Sequence, residues 1–254
     1  MNDIETYFYT KSERIIYKWN TYFESYEKYF MKYRGRKINV LEIGVFDGGS
    51  LRMWADYFGN KALIVGMDIN KNCASLAELP QIEIFIGDQS DPVKLKELVD
   101  KYGGFDIIID DGSHINSHQI KTFQYLFDYL REGGTYLVED VHTSYQKEFG
   151  GGYKNPNSFM EFSKDLLDGL HRQTDACTKY MNTISTQSYA SDVSFLHTQP
   201  LLFCKQYHME YIAKSSSQKI PFHDRNECLI SCSCTSCKHQ SAYAIHPTNP
   251  WKTP

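Results

Sequence analysis

The sequence predicts a doubly wound α/β domain on a mostly parallel sheet, with helices ahead of it and an irregular tail behind. Three observations carry this. From Lys37 onward, short β-rich apolar runs alternate with longer helical stretches, the order expected of a sheet sandwiched by helices. The runs are apolar on both faces, as strands buried on both sides must be. Each run ends in a turn or an acidic residue, so polar groups collect at the carboxyl ends of strands, where this architecture binds its ligands.

Taken in order, residues 1–36 form an N-terminal segment dense in rings: Tyr7, Phe8, Tyr9, Tyr17, Trp19, Tyr22, Phe23, Tyr26, Tyr29 and Phe30. Recurring spacings of three and four predict one or two amphipathic helices lying against something larger. Residues 37–214 hold the main domain. Its strand candidates are INVLEIGV (38–45), ALIVGMDI (62–69), IEIFIGD (82–88), FDIIIDDG (105–112) and GTYLVED (134–140). Helical stretches lie between them at 50–58, 91–103 and 118–134. A loop at 148–158 and a helix at 158–173 follow, then two final strands within 193–205 broken at Pro200. Residues 215–254 are rich in Ser, Cys, His and Pro, show little periodicity, and read as an irregular tail.

Composition narrows the function classes. The 254 residues are 41% hydrophobic and 23% charged, too apolar for a disordered chain. A formal net charge of -4 gives no field that would draw the protein onto nucleic acid or anionic lipid. No apolar run reaches membrane-spanning length, and the N-terminus lacks a basic segment followed by an apolar core, so no membrane partner and a cytoplasmic location are expected. Self-association is left open. Cys73, Cys177 and Cys204 are scattered, as reduced thiols would be. Cys228, Cys232, Cys234, Cys237 and His239 have a spacing that could ligate zinc, but the cluster lacks the second half that structural zinc sites pair across a loop, and no zinc is expected.

The sharpest feature is the row of acids at strand ends: Glu42, Asp68, Asp88, Asp110, Asp111, Glu139 and Asp140. An unpaired buried carboxylate costs several kcal/mol, so this row must face solvent, a cation or hydroxyl-bearing ligands, and a cleft is implied. LEIGVFDGGS sets Gly44, Gly48 and Gly49 between a strand and a helix, a turn that lets a ligand approach free backbone N–H groups. It does not match G-x-G-x-x-G, which argues against a dinucleotide pyrophosphate. Asp68, ending the second strand, can accept both hydroxyls of a ribose. Asp88 and Gln89 fall where an adenine ring would lie, and the three points together describe a nucleoside cofactor without phosphates.

LEIGVFDGGSLRMWADYFG, GMDIN, FIGDQSD, FDIIIDDGSH and YLVEDVHTSY, in that order and spacing, resemble the class I S-adenosylmethionine-dependent methyltransferases. More narrowly they are similar to the metal-dependent sugar O-methyltransferases of macrolides and to the cephalosporin hydroxylase-like proteins. The resemblance spans roughly residues 5–175, with DDGSH and VED its most specific parts. It implies a Rossmann-like fold and Mg²⁺, with Mn²⁺ as an alternative, on Asp111, Glu139 and Asp140. Hard carboxylate oxygens suit these ions. It implies S-adenosylmethionine on Asp68, Asp88 and Gln89, with Glu42 and Gly44 on the methionine side, and a small-molecule sugar or polyol as acceptor. His114 is implied as general base, and an imidazole suits that task near neutral pH. His118 and His142 are nearby alternatives. A phenolic or catechol acceptor, and a fold that binds without turnover, are the rival readings. The chain departs from the family at DVSFLHTQPLLFCK (192–205), where relatives carry their closing strand pair.

Overall fold

The computed structural model describes residues 1–170 and, as backbone, residues 190–194, 201–205 and 242–245. The ring-dense segment holds two helices, α1 (Asp3–Thr10) and α2 (Tyr22–Phe30), with a short strand β1 (Ile16–Trp19) between them. Asn2 caps α1, its side-chain oxygen accepting from the Glu5 amide at 2.8 Å. The main domain runs β2 (Asn39–Ile43), α3 (Gly49–Phe58), β3 (Leu63–Asp68), β4 (Ile82–Ile86), α4 (Pro92–Tyr102), β5 (Phe105–Asp110), α5 (Asn116–Leu126), β6 (Leu130–Val138) and α6 (Phe159–Leu170). Asp91 as N-cap and Pro92 at the first turn start α4 where the sequence predicts it. The final strands are β7 (Ala190–Ser194), β8 (Leu201–Lys205) and β9 (Ala242–Ile245).

The main sheet has the order β4-β3-β2-β5-β6-β8-β7. Its first five strands are parallel, and β8 and β7 close it in antiparallel fashion, so the fold is the mostly parallel, Rossmann-like doubly wound sheet that the sequence predicts. From β2 the chain winds outward through β3 and β4, then crosses back to β5 and β6 on the other side. The switch in direction opens a crevice at the carboxyl ends of β2 and β5, which is where such sheets bind ligands.

Alternation along each strand separates two apolar layers. Val40, Ile64, Ile107 and Ile109 face the N-terminal helices and α3, packed with Phe8, Phe23, Tyr26, Phe30, Trp54 and Phe58. Leu41, Val65, Met67 and Ile108 face the opposite layer with Leu95, Phe123, Tyr136 and Phe159. Tyr26 meets Trp54 edge-on at 5.0 Å, and aromatic pairs of this kind add about 0.5–1.5 kcal/mol beyond burial. The N-terminal helices thus form, with α3, one of the two layers that cover the sheet.

The structure differs from the sequence reading at three places. β1 interrupts the predicted helical segment. The helix expected over 118–134 ends by Leu126, and β6 begins at Leu130 with an irregular register against β5. Within the stretch read as an irregular tail, residues 242–245 form a strand antiparallel to β1. The cysteine and histidine cluster of the tail lies outside the described residues. Among the described residues, no helix is long and apolar enough to cross a membrane.

Candidate active site

Two loops meet at the switch point because of one glycine. Gly44 follows β2 with φ +93°, and a Cβ there would lie 2.0 Å from the backbone oxygen of Asp111. Any other residue would push the loop after β2 away from the loop after β5. With glycine they touch, and a pocket of about 700 Å³ opens beside them, walled by Gly44, Phe46, Asp68, Cys73, Asp111, His114 and Asp140, with Tyr17 and Lys18 from β1.

On one side of this pocket stands Asp68. Its Oδ2 accepts from the amides of Val45 (2.8 Å) and Phe46 (3.2 Å), and its Oδ1 from the amide of Asn70 (2.8 Å). These bonds shape the loop and aim the carboxylate into the pocket, and its remaining lone pairs can still accept from a ligand's hydroxyls. Cys73, the free cysteine among the described side chains, also lines the pocket, and burial pushes its thiol up to about 11, so it stays a thiol.

On the other side lies the acidic cluster. Asp111 and Asp140 converge with His114: the His114 Nε2 is 3.9 Å from Asp111 Oδ1 and 3.6 Å from Asp140 Oδ2. One donor atom from each of the three falls within 4.8 Å of the others, a grouping able to hold a metal ion. Glu139, the third carboxylate expected there, stands apart from this group. Its Oε1 accepts from Lys18 Nζ (2.9 Å) and Tyr26 OH (2.7 Å). Asp140 is steadied on Oδ1 by Trp19 Nε1 and Tyr22 OH, both at 2.9 Å.

Lys18 is the residue that sequence reasoning missed. Its side chain is 1% exposed, and its ammonium donates to Glu42 (3.2 Å), Asp111 Oδ2 (2.7 Å) and Glu139 (2.9 Å). Burial alone would pull its pKa down, but Asp111, Glu139 and Glu42 outweigh burial and hold it well above the usual lysine value. Burial likewise raises the carboxyls of Asp110 and Asp111 to about 6, with attraction to Lys18 and His114 working the other way at Asp111. A signal for Lys18 existed: in IYKW it is in phase with buried Ile16, a lysine on the inward side of a strand.

Backbone strain marks the same place. Four non-glycine residues among those described have left-handed φ, and three of them, Phe46 (52°), His114 (57°) and Asp140 (53°), wall this pocket. Such conformations cost of order 1–3 kcal/mol each and cluster at functional sites.

The remaining expected residues lie elsewhere. Glu42 is fully buried beneath the pocket, held by Ser50 Oγ (2.7 Å) and Lys18. Gln89 does not line the pocket. Its Oε1 accepts from the Ser113 amide and its Nε2 donates to Asp110 and Thr122, so both ends of the amide brace loops of the protein. Asp88 turns back onto Ser90, accepting from its amide and hydroxyl. His118 pairs with Ser113 Oγ at 3.0 Å, and the half-exposed His142 meets Trp19 edge-on at 6.0 Å.

Comparison with known proteins bears on the family and the fold. No family model matches the chain. The chain is 44% identical over 164 residues to the 8-demethyl-8-α-L-rhamnosyl tetracenomycin-C 2'-O-methyltransferase of Streptomyces olivaceus, covering 61% of this chain and 43% of that one. It is 43% identical over 158 residues to the demethylmacrocin O-methyltransferase of Streptomyces fradiae, covering 58% and 39%. It therefore spans about two fifths of the length of these curated relatives. Among solved structures, a methyltransferase of the mycinamycin biosynthetic pathway, in complex with Mg, SAH and mycinamycin VI, superposes with a TM-score of 0.65 at 32% identity, covering 74% of this chain and 49% of that one. The chain thus resembles sugar O-methyltransferases in both sequence and fold.

Proposed function

We propose that the chain is an S-adenosylmethionine- and Mg²⁺-dependent O-methyltransferase acting on a sugar hydroxyl of a glycosylated natural product. The observation that carries this is the meeting of two unlike half-sites at one switch point. A nucleoside-sized pocket ends on Asp68, and beside it hard oxygen donors converge on a histidine. The named activities of the similar enzymes are all O-methyltransfer, two of them on compounds named for a rhamnosyl or an olivosyl group, and they support the same reading.

The donor chemistry fits the groups proposed. Asp111 and Asp140 offer oxygen atoms suited to Mg²⁺ or Mn²⁺, whereas Glu139, the third carboxylate that the resemblance implies, is held by Lys18 and Tyr26 outside this group. A bound divalent cation would polarise an acceptor hydroxyl and ease its ionisation. Asp68 accepts from the ribose hydroxyls of the methyl donor, while Gly44, by letting the loops after β2 and β5 touch, forms the wall beside its amino-acid end. His114 sits at the cation group, with Nε2 turned toward it, and takes the acceptor's proton. The acceptor oxygen then forms its bond to the methyl carbon as the carbon–sulfur bond breaks, and both substrates are held in line by opposite walls of the same pocket.

The test is methyl transfer from labelled S-adenosylmethionine to a panel of deoxysugar glycosides and catechols, with and without EDTA. The proposal expects methylated glycoside, loss of product with EDTA, and recovery with Mg²⁺ or Mn²⁺. Product formed only from catechols would reassign the acceptor. Undiminished turnover in chelated enzyme would remove the metal.

A further inference from the structure

We propose that Lys18 is a positioning residue that orients the carboxylates of the cation site and joins them to the floor of the cofactor pocket. The inference rests on the metal-dependent reading above and deepens it. The Lys18 ammonium occupies one oxygen of Asp111, Oδ2, and the opposite oxygen, Oδ1, is the one that faces His114. The next residue of the same strand does the same for Asp140: Trp19 and Tyr22 occupy Oδ1, and Oδ2 is left facing His114. One oxygen of each acid is therefore tied to the N-terminal segment, and the other is aimed at a common point. Lys18 also holds Glu139 Oε1 and Glu42 Oε1, so a single fully buried charge touches the ends of β2, β5 and β6.

A second argument comes from charge. Glu42, Asp111 and Glu139 reach within 3.2 Å of one point, and without a cation there they would repel. A mobile ion could serve, but it would be shared with solvent. A lysine on β1 is permanent, and it fixes the acids before any metal arrives. Partners that orient metal ligands in this way are worth about 10–100-fold in metal affinity when removed.

The experiment is Mn²⁺ binding to the full chain, followed by electron paramagnetic resonance, with thermal melting as the check on folding. Wild type is compared with Lys18→Met, Glu42→Gln and the double variant Lys18→Met/Glu42→Gln. The double variant removes one opposite pair and keeps the charge balance if the single lysine variant fails to fold. The expected result is one bound Mn²⁺ in wild type, little change in Glu42→Gln, and an affinity weaker by about 10–100-fold with an altered spectrum in the folded lysine variants. If Lys18 were only a repelling charge, its removal would tighten Mn²⁺ binding; affinity equal to or above wild type in the double variant would overturn the proposal. Wild type that binds no Mn²⁺ would overturn the cation site itself, and the role of Lys18 with it.

Discussion

The acids at the ends of β3 and β4 and those at the ends of β5 and β6 are alike in sequence and unlike in how they are held. Asp68 and Asp88 are steadied mainly by backbone amides close by: Asn70 and Ser90 in their own loops, and Val45 and Phe46 in the loop alongside. Asp111, Glu139 and Asp140 are steadied by side chains of Lys18, Trp19, Tyr22 and Tyr26, more than ninety positions earlier in the chain. A carboxylate bound by local amides keeps its place when the rest of the fold changes. One bound by a distant lysine and phenols depends on the whole N-terminal layer being docked. In this chain the proposed cofactor half of the site is therefore held by neighbouring strand-end loops, and the proposed cation half by the N-terminal layer.

That contrast can be broken most severely at the proposed cation ligands. Asp140→Asn or Asp111→Asn should weaken Mn²⁺ by more than about a hundredfold, beyond what outer partners reach, and abolish turnover, while SAH affinity measured by calorimetry stays near wild type. His114→Ala should lower kcat by about 10²–10⁴ with Mn²⁺ and SAH binding largely retained. Near-normal turnover in that variant, with loss in His142→Ala, would move the base to the neighbouring loop. Asp68→Ala should raise the dissociation constant for S-adenosylmethionine by roughly tenfold or more, each charge-assisted bond contributing about 1.5–3 kcal/mol, and leave Mn²⁺ binding intact.

Smaller effects sharpen the comparison. Tyr26→Phe removes a hydrogen bond to buried Glu139 and should cost about 1–2 kcal/mol in urea unfolding, because the lost partner is remote and nothing local replaces it. Asp88→Ala breaks only a turn onto Ser90 and should cost under about 1 kcal/mol with no change in SAH affinity. A large loss of SAH binding in Asp88→Ala would restore the adenine role that its position in the sequence suggests.

The same division explains what could be read from the sequence. The strands of the sheet follow from apolar runs of the right length, and the acids at their ends from simple position, so the crevice and the acids gathered around it were legible. β1 was not. Four residues, IYKW, sit in a ring-dense segment whose three-and-four spacing reads as helix, and the strand that pairs with them lies more than two hundred positions away. Lys18 was hidden for the same reason, since a lysine counts as solvent-facing until the strand phase puts it inward. Gln89 shows the opposite error. A polar residue just past a strand end looks the same in sequence whether it faces a ligand or braces a loop, and here Ser113, Asp110 and Thr122 take both ends of its amide.

The separation of the two half-sites is tested most directly by titrating SAH into wild type, Asp68→Ala and Asp111→Asn in the presence of EDTA, and repeating each titration with saturating Mn²⁺. A local cofactor site beside a tertiary cation site predicts that SAH binds wild type and Asp111→Asn in EDTA with similar affinity, and that only Asp68→Ala loses it. SAH binding that requires Mn²⁺ in wild type, or that vanishes in Asp111→Asn while Asp68→Ala keeps it, would contradict the account.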